Sequence, residues 1–158
     1  MNFPNKIKIN GRVRICLELV KKLRLEDKTL VDIGSSSGWL EKEIADKGLK
    51  RIVGVEPNDK ALRFARKNVP SVEFRKGNAL QIGLPNSFSD VAILFDVIEH
   101  VPKYSENKVF NEAGRILRKG GVLLLSTPYN HFLNNLLDPA WYFGHRHYSV
   151  RRITGLLE

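Results

Sequence analysis

The sequence predicts a doubly wound α/β domain: an open, mostly parallel sheet with strands in the order 3-2-1-4-5 and helices on both faces. Three observations carry this prediction. Apolar, β-branched runs alternate along the 158 residues with segments of helical periodicity, the pattern of strand–helix–strand units. Two of the runs end in an acid, Asp32 and Glu56. A glycine-bounded turn, Gly34 to Gly38, joins the first run to the helix after it, where backbone must turn tightly and approach a ligand closely. Right-handed crossovers then leave the doubly wound order, with a ligand at the carboxyl ends of strands one and four.

The elements follow in order. A first amphipathic helix is predicted over residues 12–23, with Val13, Cys16, Leu19, Val20 and Leu23 on one face. Thr29-Leu-Val-Asp-Ile33 is a buried strand, followed by a helix over 39–47. The N-terminal N–H groups of that helix and three serine hydroxyls make the intervening loop rich in donors. Arg51-Ile-Val-Gly-Val-Glu56 is the second strand, before Pro57 and a helix over 60–67. Ser71-Val-Glu-Phe-Arg75 is a short third strand and Asp90-Val-Ala-Ile-Leu-Phe-Asp96 a nearly all-apolar fourth. A helix over 108–117, a Gly-Gly turn, a fifth strand ending at Ser126 and a helix over 150–157 complete the pattern. No repeat, linker or low-complexity tract interrupts it, so residues 1–158 read as one domain.

The glycine spacing selects the ligand class. A dinucleotide fingerprint needs glycines at 34, 36 and 39, where this chain has Gly34, Ser36 and Trp39. Its own pattern, Asp32-x-Gly34-Ser35-Ser36-x-Gly38, resembles motif I of the class I S-adenosylmethionine-dependent methyltransferases, with Ser36 in place of the middle glycine. A plain solvent-exposed turn is the alternative for the loop alone. Glu56 lies at the end of strand two, where a carboxylate accepts both hydroxyls of a ribose lying across the first loop; a surface Glu before a Pro turn is the bland reading. The segment Lys76-Gly-Asn78-Ala79 resembles the family's Gly-Asp-Ala turn, whose acid accepts from the adenine amino group, a role the resemblance passes to the Asn78 amide oxygen. Phe95-Asp96 with Val97-Ile-Glu99-His100-Val101, and Leu117-Arg-Lys-Gly-Gly with its strand, resemble type 11 and type 23 members, including ubiquinone-biosynthesis enzymes. The resemblance implies a Rossmann-like fold and S-adenosylmethionine as cofactor, with S-adenosylhomocysteine as product. It places Asp32, Gly34, Ser35, Ser36, Gly38, Glu56, Pro57, Asn78, Ala79, Phe95 and Asp96 around that cofactor.

Methyl transfer from a sulfonium needs alignment and exclusion of water, with a base where the acceptor must lose a proton. His100, His145 and His147 are the candidates. In ubiquinone-type O-methyltransferases a carboxylate, a Glu and a His at this spacing hold a divalent metal, a pattern that Asp96, Glu99 and His100 reproduce; bracing of the following helix is the alternative. Trp141-Tyr-Phe-Gly-His145-Arg-His147-Tyr148-Ser149 is either a wall around the acceptor or a packed aromatic turn.

Lys and Arg number 26 against 17 acids, a net of +9, which raises a nucleic-acid substrate. The charge is spread along the chain, and the Asn-Pro-Pro-Tyr type of motif after strand four that holds a flipped base is replaced by Phe95-Asp-Val-Ile-Glu-His100. RNA or DNA is therefore the minority reading, and a small molecule, with a hydroxyl of a lipid, quinone or sugar as acceptor, the leading one. The single cysteine, Cys16, suits a reducing cytoplasm, and no apolar run reaches the ~20 residues of a membrane span. The resemblance implies a C-terminal antiparallel hairpin that this sequence lacks, leaving strand five as an edge that pairs with a second copy, is covered by residues 148–158, or belongs to a fragment of a longer chain; a cofactor-binding but inactive module completed by a partner chain is the alternative function.

Overall fold

The protein is described by a computed structural model covering residues 11–130 and 146–157. β1 (Thr29–Ile33), with all five residues buried, forms the middle of a five-stranded sheet. β2 (Arg51–Glu56) and β3 (Glu73–Lys76) lie on one side of it, β4 (Ser89–Phe95) and β5 (Leu117–Ser126) on the other. The order is β3-β2-β1-β4-β5 and all four pairings are parallel, as the sequence predicts.

Alternation along the strands sorts side chains into two layers. Leu30, Ile52, Val91 and Ile93 face α1 (Gly11–Lys21), α2 (Trp39–Ile44) and α3 (Asp59–Asn68), meeting Leu17, Val20, Leu40, Ile44 and Leu62. Val31, Ile33, Val53, Val55, Ala92 and Leu94 face the other way, onto Phe110 and Ala113 of α4 (Glu106–Ile116) and onto Ile153 and Leu156 of α5 (Val150–Leu157). Asp32 of β1 apart, the strands between two others present mainly apolar side chains on both faces, which is why these runs read as continuous rather than alternating.

Three local departures from expectation have physical causes. α1 buries Cys16, Leu17 and Val20, a stripe at i, i+1 and i+4, and leaves Leu19 41% exposed, because Leu19 falls about 200° around the helix from Leu17. α2 stops at Ile44 rather than 47: Lys47 N–H donates to the Ile44 carbonyl at 3.1 Å, tightening the last turn, and Gly48 follows at φ 71°. The Gly-Gly turn before strand five is a bulge within β5. Ser89 pairs with Leu117 and Val91 with Val122, so residues 118–121 stand opposite Asp90 alone. Gly120 takes φ 78° there, and a Cβ on Gly121 would lie 2.9 Å from the Arg118 carbonyl oxygen. Arg118 folds back to hold both Asp90 oxygens at 3.0 and 3.1 Å.

Among the described residues no strand pairs with the outer side of β5, and Val122 is 41% exposed. Residues 146–149 extend the sheet's upper rim instead: Tyr148 N–H donates to the Pro128 carbonyl at 2.9 Å and Asn130 N–H to the Tyr148 carbonyl at 3.1 Å.

A polar clamp ties the loop between β3 and β4 to α4. Glu112 accepts from Arg115 Nε at 2.7 Å, from Arg115 Nη2 at 2.9 Å and from Ile82 N–H at 3.1 Å. Arg115 Nη1 reaches on to the Leu84 carbonyl at 2.7 Å. The Arg115 hydrogen bonds outweigh burial and hold the Glu112 carboxyl down at about 2. Because the pair is partly open to solvent, Arg115→Ala is expected to cost about 1–2 kcal/mol, read as a lower urea midpoint at unchanged slope. The folded-state carboxyl titrates below its unfolded value of 4.5, so the difference from wild type is complete above about pH 4.5 and shrinks as pH falls towards 2. An equal difference at pH 3 and pH 7 would show that the ion pair is not its source.

Candidate functional site

The carboxyl ends of β1, β2 and β4 open into a cavity of about 570 Å3. Its lining includes Gly34 and Ser36 from the first loop, Glu56 and Pro57 from the second, Asn78 and Ala79 after β3, and Asp96 and His100 after β4. These eight positions, singled out from sequence, converge from four separate connections. Asp32, Ser35, Gly38 and Phe95 do not line the cavity: Asp32 is 4% and Ser35 1% exposed, beneath and within the loop.

Glu56 organises the site. It is 8% exposed, and its two oxygens are divided between two loops: Oε2 accepts the Ser36 N–H at 3.0 Å and Oε1 the Asn58 N–H at 2.9 Å. The first loop is further held by Gly34 and Ser35 N–H groups donating to the Val55 carbonyl at 2.8 and 3.1 Å. Asn58 in turn caps α3, its Oδ1 accepting from Lys60 and Ala61 N–H.

The glycine positions have distinct reasons. Gly34, at φ 89°, passes so close to the post-β4 segment that a Cβ would stand 2.4 Å from Val97 Cγ2. Gly38, at φ 76°, leaves 2.9 Å to Phe74 and 3.2 Å to the Ala65 Cβ. Ser36, where the family pattern has glycine, adopts φ 49°, a left-handed conformation that costs an L-residue about 1 kcal/mol and aims its N–H at Glu56. α2 begins at the left-handed Gly38 with no side-chain cap and runs six residues, so the donors of the loop are its own N–H groups rather than a helix terminus.

Asn78 lies on the cavity wall, but its Oδ1 is engaged in its own turn, accepting Leu80 N–H at 2.8 Å and Gln81 N–H at 3.1 Å. The oxygen expected to accept from an adenine amino group thus also closes its own turn, as Asn commonly does. Asp96 also has a left-handed backbone, φ 53°; its N–H donates to the Ser126 carbonyl at 2.9 Å and Oδ1 accepts from the Ser126 hydroxyl at 3.1 Å.

The structure does not bring Asp96, Glu99 and His100 together as ligands. Glu99 is 3% exposed and takes the Thr127 hydroxyl at 3.1 Å, while His100 is exposed on the cavity rim. Among the described residues no group of three His, Cys, Asp or Glu side chains converges. Neighbours in sequence on a tight turn face different directions, so i, i+3, i+4 spacing did not make a cluster. His147 is 7% exposed and does not line the cavity. His145 and Trp141 lie outside the described residues.

Sequence reasoning missed Arg146. Its guanidinium, 15% exposed, donates to Glu106 Oε1 at 2.9 Å and to the Ile98 carbonyl at 2.8 Å, and also reaches the Val101 carbonyl. Tyr148 Oη sits 3.0 Å from the same Glu106 oxygen and 3.3 Å from the Ile98 carbonyl. Burial opposes the Glu106 charge, but its backbone bond, the Tyr148 bond and the charges of Arg146 and Arg152 prevail and hold its carboxyl below the usual range. Residues 98–102, which supply His100, Val101 and Pro102 to the cavity, are thereby fixed from a segment more than forty positions away. That separation is why no local signal marked Arg146.

Comparison with known proteins bears on this geometry. The profile of the type 11 methyltransferase-domain family matches residues 31–125, from β1 to the end of β5. A probable S-adenosylmethionine-dependent methyltransferase of Mycolicibacterium smegmatis is 31% identical over 136 residues, 85% of this chain and 52% of its own length. A ubiquinone biosynthesis O-methyltransferase of Nitrosomonas europaea is 30% identical over 65% of this chain and 45% of its own length. The chain spans about half the length of these curated relatives. Among solved structures, an S-adenosylmethionine-dependent methyltransferase of Thermotoga maritima, described as a possible histamine N-methyltransferase, superposes with a TM-score of 0.72 at 28% identity, covering 90% of this chain and 66% of that one. A methyltransferase structure from Bacillus halodurans, at 22% identity and TM-score 0.76 over 89% of this chain and 64% of that one, shares the fold.

Arg146→Ala is expected to lower stability by about 3 kcal/mol, because Glu106 is left as a buried charge without its main partner. Arg146→Lys should recover less than half of that, since one ammonium cannot span a carboxylate and the carbonyls of residues 98 and 101. Urea unfolding of the three proteins checks both, and full recovery by Lys would show that charge alone matters.

Proposed function

The chain belongs to the type 11 methyltransferase-domain family, and on that premise we propose that it binds S-adenosylmethionine in the 570 Å3 cavity and transfers its methyl group to a small-molecule acceptor. One observation carries the reading: Glu56, buried and pinned by one backbone N–H on each oxygen, faces the cavity from the end of β2. Each carboxylate oxygen accepts more than one hydrogen bond, so both retain capacity for a ribose hydroxyl while the loops keep them in place.

The residues present fit such a cofactor. Gly34, without a side chain, lets the backbone approach the cavity, which suits a ligand lying across β1. Ala79 and Leu80 offer an apolar wall for a base, and Asn78, its oxygen occupied, offers the N–H side of its amide. Asp96, oriented by Ser126, supplies a carboxylate at the β4 end. The bound cofactor supplies an already activated methyl on a cationic sulfur, so the protein's work is to orient the acceptor, exclude water and, for a hydroxyl acceptor, take a proton. His100 on the cavity rim is the imidazole placed for that proton; His147, buried away from the lining, is not. His100→Ala should then lower turnover more than it weakens the cofactor.

A second reading has its own observation. The outer side of β5 is unpaired among the described residues, so a second copy or a partner chain adding a strand there would complete an acceptor site that this domain alone leaves open. Turnover by the isolated monomer removes that reading.

Calorimetric titration with S-adenosylmethionine and S-adenosylhomocysteine tests the proposal. Glu56→Ala is expected to weaken both by about 1.5–3 kcal/mol, the range of charge-assisted hydrogen bonds to a ligand, with the far-ultraviolet circular dichroism unchanged. Unaltered affinity in a folded Glu56→Ala protein overturns the ribose assignment.

A further inference from the structure

The amino ends of β1 and β2 and the turn before β4 enclose a second cavity, of about 370 Å3. It lies at the opposite end of the sheet from the first. Thr29 opens β1 and Arg51 opens β2, paired in register, whereas Gly34 follows β1 and Glu56 closes β2. The five residues of β1 run between the two cavities, about 16 Å at the usual rise along a strand. They are separate sites.

Lys50, Arg51 and Arg118 line this cavity, and none of its lining residues is acidic. Both arginines are fixed by bonds that leave donors over. Arg51 gives Nε and Nη2 to Glu73 Oε2 at 3.1 and 2.6 Å and lies 5.1 Å from the centroid of the Phe88 ring, while its Nη1 has no hydrogen-bond partner among the described residues. The β5 bulge turns Arg118 back, with Nε on the Ser87 carbonyl at 3.2 Å and Nη1 on Asp90, which leaves Nη2. Lys50 Nζ is engaged by none of the described residues. Asn86 accepts from Arg115 through Oδ1 and keeps its two Nδ2 donors. Ser87 adopts a left-handed φ of 51°, held by its N–H on the Arg115 carbonyl at 2.9 Å and by the Phe88 N–H on the Ile116 carbonyl at 2.7 Å. Such a serine persists only where its surroundings over-determine it, and here the strained turn keeps Asn86 and Phe88 on the cavity wall.

The carboxylates beside the cavity do not cancel these cations. Glu73 is shared between Arg51 and Arg75, and Asp90 takes Arg118 and the Thr29 N–H at 2.8 Å, with the Lys28 charge acting on it as well. Lys28, Lys50, Arg51, Arg75 and Arg118 thus stand against Glu73 and Asp90, five cations to two anions in one concave place, where the field of the excess is focused.

We propose that this cavity is a second ligand site, built for the phosphate of a small phosphate monoester through Lys50, Arg51 and Arg118. A guanidinium already tied to a carboxylate along one edge offers the other without losing further side-chain freedom, and its remaining N–H groups suit phosphate oxygens. A monoester dianion presents three acceptor oxygens to three cationic heads, where a carboxylate presents two. The local excess of positive charge also favours two negative charges over the single one of a diester. The volume exceeds that of a phosphate group, and Pro85 and Phe88 give the organic part of the ligand an apolar contact.

The probes are phenyl phosphate, a dianion at pH 8, and methyl phenyl phosphate, which carries the same ring and one charge. Titrated into the whole chain and followed by amide nuclear magnetic resonance, phenyl phosphate is expected to shift residues 50, 51 and 86–88 saturably and to bind at least about fivefold tighter than the diester. At pH 5.5, below its second pKa of about 6, its affinity should fall about fourfold while that of the diester stays level. The protein groups keep their charge over that range: the Arg51 bond and then Arg75 hold the Glu73 carboxyl low, the Thr29 N–H and then Arg118 hold Asp90 low, and no His lines the cavity. Lys50→Gln, which alters a side chain with no bonds to the rest of the fold, should weaken phenyl phosphate about five- to tenfold. Lys67→Gln, on the exposed side of α3, should change it less than about twofold. Equal affinity for the two esters, as a contact to a nucleic-acid backbone would give, overturns the proposal. So does an equal loss in Lys50→Gln and Lys67→Gln, or no saturation below about 10 mM. The comparison of esters on wild type needs neither variant, and S-adenosylmethionine affinity is expected to be the same in Lys50→Gln as in wild type.

Discussion

The bond pair made by Glu56 is the constraint on which the site depends. A carboxylate at the end of β2 that accepts from residue 36 and residue 58 joins the first and second strand–helix connections through one side chain. Neither N–H has a partner within its own helix, so without Glu56 both loops would have to find water or rearrange. The same carboxylate is held at low exposure, facing the cavity, with its orientation decided before any ligand arrives. Preorganisation of this kind lowers the ordering cost of binding, because the group that must meet a ligand is already fixed by the fold.

The backbone around Glu56 shows what this arrangement demands. Four left-handed residues cluster at the carboxyl end of the sheet: Gly34, Ser36 and Gly38 in the first loop and Asp96 after β4. Two of them are not glycine, and a left-handed L-residue persists only where its surroundings over-determine it. For Ser36 the determinant is Glu56; for Asp96 it is the two bonds to Ser126 on the neighbouring strand. Gly34 and Val97 then meet at a distance that admits no Cβ, so the β1 and β4 loops are packed against one another across the switch in strand order. Arg146 closes the arrangement from the far side by bonding the carbonyls of residues 98 and 101.

What could be read from the chain, and what could not, divides along the range of the interactions. Strand order follows from local pattern plus the handedness of crossovers, and a shared site for Gly34, Glu56, Asn78 and Asp96 from the family resemblance; the sheet realises the order and the cavity gathers those four. The points that local pattern leaves open are of two kinds. Some arise where a local polar group competes with a distant one: Asn78 spends its oxygen on Leu80 and Gln81, and Asp96, Glu99 and His100 diverge on a tight turn. Others need tertiary knowledge. Glu41 of α2 is buried where Gly54, on another strand, leaves space beside Asp32, a placement that no local signal marks. Arg146 is invisible for the same reason, since its partners lie at residues 98, 101 and 106.

The distribution of charge weighs on the choice of ligand. The chain carries a net +9, and among the described residues most cations outside the cavity are exposed, some of them paired, as Arg51 is with Glu73 and Lys76 with Asp59. The cavity is the opposite. Glu56 and Asp96 line it, Asp32 lies beneath its first loop, and the nearby guanidinium of Arg146 is committed to Glu106 and to backbone carbonyls. A polyanion drawn to the basic exterior would have to bring its phosphates towards carboxylates to reach the cavity, at a cost that grows as solvent is excluded. A compact cation meets no such barrier, and gains from each carboxylate that stays charged.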